Sequence, residues 1–110
     1  MATDTPDDQT NGVCNYATGK FTGAGAEVDV TVGFTPRIVR VVNATDRITD
    51  EKYAQMGATE VIHTVATGVR TLDTNSLIVF ADPLTDGFRG FTIAAAAAIS
   101  AKVIYWEAIG

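Results

Sequence analysis

Alternation of apolar and polar side chains is clearest at Val28, Val30, Val32 and Phe34, which interleave with Asp29, Thr31 and Gly33. A period of two puts each set on its own face of an extended chain, which predicts a half-buried antiparallel strand. Thr35-Pro36 closes the run, because proline donates nothing to a ladder. Residues Arg37 to Asn43 then read Arg-Ile-Val-Arg-Val-Val-Asn, apolar on both faces and rich in β-branched side chains, which predicts a central strand. Further strands are predicted over 61–66, 69–72, 77–81, 90–94 and 102–109. Between them stand Thr67-Gly68, Asp73-Thr74-Asn75, Asp82-Pro83 and Asp86-Gly87, each with its own turn chemistry. Thr49 as cap, Asp50 and Glu51 at the positive end of a dipole, and Gly57 as terminator predict one short helix near residues 50–56. Tyr53 and Met56, three apart, would form its buried stripe. The expected fold is all-β and mainly antiparallel: a compact β-sandwich or small barrel with this one helix and an extended N-terminal arm.

Two segments fall outside the strand pattern. Residues 1–12 lack apolar periodicity and read as a polar arm, leaving 13–110 as a single β domain. The run Ala94 to Ala98 favours helix by propensity but is too short to sustain one, so a loop or strand edge packed through small side chains is expected. Ala17-Thr18-Gly19 and Ala66-Thr67-Gly68 echo each other as two similar hairpin turns.

Charge sharpens the division. The 110 residues carry a net charge of −5, and the first ten hold three acids (Asp4, Asp7, Asp8) with no base. The rest holds ten acids against eight bases, so the body is close to neutral. An acidic surface disfavours nucleic acid. No apolar run approaches the length of a membrane span, and the N-terminus has no secretory pattern, which places folding in a reducing cytoplasm. One cysteine, Cys14, excludes an internal disulfide and any multi-cysteine metal site.

Candidate chemistry is sparse. His63 is the one histidine, and without a Ser or Cys nucleophile near it in sequence it reads as a strand residue satisfied by a backbone group. Gly19-Lys20 lacks the Ser or Thr of a phosphate-binding loop, and Gly23-Ala24-Gly25 lacks the strand and third glycine of a dinucleotide fingerprint. Asp46, Asp50 and Glu51 do not have calcium-loop spacing and are read as helix capping. No catalytic residue, cofactor site or metal site is expected. Arg37 and Arg40 need partners on a β-branched strand, either Asp29 or Glu27 within the chain or an acidic partner surface. Tyr105 and Trp106 place aromatics on both faces of the last strand, a pattern of core or oligomer burial more than of a stacking platform.

The stretch from Val32-Gly33-Phe34-Thr35-Pro36 through Val41-Val42-Asn43 resembles a pattern in small virion proteins of tailed bacteriophages. The likeness continues through Asp46-Arg47-Ile48-Thr49, Glu51-Lys52-Tyr53 and Phe88-Arg89-Gly90-Phe91-Thr92-Ile93, and closes with Lys102 to Ala108 and the terminal glycine. It spans roughly 26–110 as scattered motifs; alanines occupy 94–98, where similar chains often carry glycine or asparagine around 94–101. The resemblance implies a non-enzymatic structural protein, a capsid decoration (cement) protein or head fibre. Such a protein sits on the capsid exterior, bridges subunits of the major capsid protein and stabilises the shell. A homo-oligomer is expected, a trimer before a dimer, with the body meeting through strand faces near Trp106 and 77–81 and arm residues 1–20 lying along capsid subunits. The expected interface residues are Asp4, Asp7, Asp8, Arg37, Arg40, Tyr105 and Trp106. The alternative expectation is a tail or fibre module that recognises a host-surface glycan through Tyr105 or Trp106.

Overall fold

A computed structural model describes residues 15–110. The acidic arm, with Asp4, Asp7 and Asp8, and Cys14 lie outside the described residues. The remainder is a two-sheet antiparallel β-sandwich. Its strands in chain order are β1 (Tyr16–Thr22), β2 (Val28–Thr31), β3 (Ile38–Asn43), β4 (Ile48–Tyr53), β5 (Val61–Thr64), β6 (Arg70–Asp73), β7 (Ile78–Phe80), β8 (Gly90–Ile93) and β9 (Val103–Ile109). One sheet has six strands in the order β1-β9-β3-β4-β5-β6, the other three in the order β2-β8-β7.

Alternation explains the core. Val39 and Val41 of β3, Ile104 and Ala108 of β9, and Val61 of β5 face inward from the large sheet. Val30, Ile78, Phe91 and Ile93 meet them from the small one. Phe91 is fully buried, and its ring meets Trp106 edge-on at 5.5 Å and 72°. The indole also covers Gly19 of β1, where a Cβ would stand 2.4 Å from the ring. β1 therefore needs a residue without a side chain at that position. Ala97 and Ala98 are buried in the turn after β8, as small side chains packed closely should be.

β3 lies between β9 and β4, the central place its pattern predicts. The helix expected near 50–56 is not formed there. Ile48–Tyr53 is strand β4, in register with β3 from Asn43↔Ile48 to Ile38↔Tyr53. Of the residues that resembled a helix start, Thr49 and Glu51 face outward and Asp50 inward; Asp50 and its inward neighbour Lys52 are buried and partnered across the sheet and loop. Among the described residues the one α-helix, α1, is Pro83–Asp86 instead. Asp82 caps it by accepting from the Leu84 N–H at 3.0 Å, Asp86 accepts from the Asp82 N–H at 2.8 Å, and proline holds the first turn. The alternation from Val28 to Phe34 yields a shorter strand than its length predicts. The N–H groups of both Val32 and Gly33 donate to the Arg89 carbonyl, at 3.0 and 3.2 Å, and pairing ends there. Ala17-Thr18-Gly19 is part of strand β1, while Ala66-Thr67-Gly68 lies in the β5–β6 connection, so the echo is not structural.

Candidate functional site

The six-stranded sheet has an outward face, and register alone determines what meets on it. Thr18 lies opposite Glu107, Glu107 opposite Arg40, Arg40 opposite Glu51, and Glu51 opposite Ile62. One step along, Lys20 lies opposite Tyr105, Tyr105 opposite Val42, and Val42 opposite Thr49. The first row is an ion-pair ladder. Arg40 bonds the Glu107 carboxylate directly and stands 3.8 Å from Glu51, which Arg70 reaches at 3.4 Å. The Tyr16 hydroxyl donates to Glu107 at 2.8 Å, and that bond pushes the phenol above its ordinary range. Surface pairs contribute little singly, but these link five strands and fix the orientation of each side chain.

Between the two rows runs an open groove of about 550 Å³, lined by Thr18, Lys20, Arg40, Val42, Tyr105 and Glu107. Tyr105 is 45% exposed, and the Lys20 ammonium stands 5.9 Å from its ring centroid. Tyr16, Tyr53 and Leu72 share this face and are exposed. Of the expected interface residues, Arg40 and Tyr105 meet here. Trp106 also borders the groove, but its ring turns inward onto Phe91. Tyr105 and Trp106 therefore form no coplanar platform. Arg40 pairs with Glu107 and Glu51, which corrects the expected pairing with Asp29 or Glu27; β2, which carries Asp29, belongs to the other sheet. Arg37 precedes β3 and donates its backbone N–H to the Ile109 carbonyl at 2.7 Å. Sequence reasoning missed Lys20 and Glu107. The usable signal was spacing: Arg40-Val41-Val42 and Tyr105-Trp106-Glu107 each put their outer two residues on one face.

A second polar constellation faces inward. A cleft of about 300 Å³ lies between the large sheet and the alanine turn, lined by Asn43, Asp50, His63, Asp73, Asn75 and apolar neighbours. The His63 Nδ1 and the Asp50 carboxylate are 2.5 Å apart. The imidazole is thus partnered by a carboxylate, where a backbone group was expected. Burial raises the Asp50 pKa above its ordinary 3.8, while His63 pulls it down. The described residues that line the cleft include no hydroxyl or thiol that could act as a nucleophile. Among the described residues, no three His, Cys, Asp or Glu side chains are grouped to hold a metal ion. No described helix is long and apolar enough to cross a membrane.

The pair makes a pH-dependent prediction. His63→Ala leaves a buried carboxylate without its partner and should cost about 1–3 kcal/mol in urea unfolding at pH 7. The folded-state pKa of Asp50 lies above the unfolded value and rises further without the imidazole. The ionised form is therefore penalised at high pH, and the loss should shrink as acid protonates the carboxyl. A deficit unchanged between pH 7 and pH 4 would separate the effect from Asp50.

Comparison with protein-family models, curated proteins and solved structures gives no match for this chain.

Proposed function

We propose that this protein is a non-enzymatic structural component of a tailed-phage virion. It binds the exterior of the head through the outward face of the six-stranded sheet and bridges subunits of the major capsid protein. The observation that carries this reading is the face itself: no described element covers it, and Tyr16, Tyr53, Tyr105 and Leu72 stand exposed on it. Large aromatics that lose few rotamers on burial are the side chains that anchor protein interfaces. Glu107, Arg40, Glu51 and Arg70 are already paired, so docking need not order them again or leave a charge unpartnered. The motifs over 26–110 that resemble small virion proteins point the same way. The net charge of −5 suits an exterior place, away from packaged nucleic acid.

Electron microscopy of virions made with and without the protein tests the reading, with density expected on the head. Tyr105→Ala, a change at an exposed side chain, should lower head occupancy at least tenfold while the fold persists. Density on the tail, or none on the virion, would overturn the proposal.

A further inference from the structure

The outer edge of β1 is the second feature of this sheet without a described neighbour. Asn15 and Gly110 exchange both backbone bonds, at 3.0 and 2.8 Å, and the Gly23 N–H donates to the Lys102 carbonyl at 2.8 Å. In an antiparallel ladder the bonded pairs alternate, so Ala17, Gly19 and Phe21 spend their backbone groups on β9. Tyr16, Thr18, Lys20 and Thr22 point theirs the other way, and among the described residues no strand pairs with that edge.

The other edges are short. β2 and β6 have four residues each and β7 has three, whereas β1 has seven. β1 carries little edge protection: its seven pairs with β9 run without a bulge, it contains no proline, and Lys20 is its one charge.

We propose that β1 pairs antiparallel with β1 of a second copy of this chain, joining two six-stranded sheets into one. The strand is complementary to itself in a single register that uses its whole length, with a two-fold axis at Gly19. Tyr16 then exchanges bonds with the partner's Thr22, and Thr18 with the partner's Lys20, so every outward backbone group of the strand is satisfied. No like charges lie directly opposite, because Lys20 faces the partner's threonine, and the two Lys20 side chains meet only as diagonal neighbours. On the inward face Ala17 meets the partner's Phe21, small against large. Glycine meets glycine at the axis, where the strands approach most closely and Trp106 already covers Gly19. A two-fold interface of this kind is isologous and closes on itself. It gives a pair, the second of the two oligomers expected from the sequence. The axis runs perpendicular to the sheet, so the two outward faces lie side by side on one surface, and a target would meet both at once. The pairing stands apart from the virion reading: a monomer in solution overturns it and leaves head binding standing, and absence from the head does the reverse.

Sedimentation of the full chain tests the proposal, with a concentration-dependent dimer expected. Thr18→Pro removes an outward N–H and none that β9 uses, so it should weaken the dimer about a hundredfold with unchanged circular dichroism. Should that variant fail to fold, two charge variants decide. Thr18→Lys faces the partner's Lys20 twice and should weaken the dimer up to about tenfold, while Thr18→Glu should tighten it by about as much. Within one chain the signs reverse, because position 18 lies opposite Glu107: lysine should raise the thermal stability of the monomer and glutamate lower it. A wild-type chain that stays monomeric at its solubility limit overturns the proposal. So does a folded Thr18→Pro dimer of undiminished affinity, or charge variants that shift the dimer in the same direction.

Discussion

Replacing Gly90 with alanine should remove about 3 kcal/mol or more of the stability of this domain, far beyond the usual cost of adding one methyl group. Gly90 opens β8 opposite Thr31 of β2. A Cβ there would stand 1.9 Å from the Val30 carbonyl oxygen and 3.2 Å from the Thr31 Cα. Both are backbone atoms, so no rotamer change relieves the overlap and the strands must part. Among the described residues β2 pairs with β8 alone, so separation costs its pairing and draws buried Val30 away from the core. The Gly90 carbonyl also accepts from the Ala81 N–H at 3.0 Å, which carries the displacement toward β7. Thermal unfolding should show a midpoint lower by about 12–20 °C, on the scaling for a domain near this size. Thr31→Ala, at an exposed neighbouring position, should move stability by less than about 0.5 kcal/mol. A Gly90→Ala domain as stable as that control would show that β2 is not clamped against β8.

Those contacts explain which parts of the molecule were legible in its residues. β3 and β9 could be read because they are rich in β-branched and aromatic side chains on both faces, the mark of strands with neighbours on each side. β4 could not, because its inward positions hold Asp50 and Lys52, whose compensation comes from His63 on β5 and from carbonyls of the following loop. A local pattern has no access to a partner eight or thirteen residues away, so Asp50 looked like part of a helix start. β1 escaped for the opposite reason. Its inward positions are Ala17, Gly19 and Phe21, so a single large apolar side chain marks the face, and Gly19 is bare because Trp106 fills the space above it. The outward site was half legible. Tyr105 and Arg40 stood out as side chains needing an explanation, but only the pairing of β1, β9 and β3 brings Lys20, Tyr105 and Val42 into one row. Candidate residues could thus be named one by one, whereas their assembly depended on register.

Lys52→Met should be the most damaging change among the polar side chains, costing about 2–4 kcal/mol in urea unfolding at pH 7. Lys52 is 3% exposed, and its ammonium donates to the carbonyls of Gly57, Ala58 and Glu60 at 2.8, 3.3 and 2.7 Å. It also lies 5.7 Å from the Phe80 ring centroid, which ties the β4–β5 loop to β7. Methionine keeps most of the volume and the apolar stem, so the variant isolates the loss of the donor. Hydrogen bonds from a charged group are worth about 1.5–3 kcal/mol each, and three carbonyls would lose theirs. Relief from burying the ammonium offsets part of that, which is why the expected cost is well below the sum. Burial holds the Lys52 pKa below its ordinary 10.5, with Glu60 pulling the other way. The folded chain therefore releases this proton at a lower pH than the unfolded chain, and wild-type stability gains as pH rises between the two values. Methionine has no proton to release, so the gap between wild type and variant should widen on going from pH 7 toward pH 10. A gap that closes over that range would mean that the positive charge, and not the cage of carbonyl bonds, is what holds the loop.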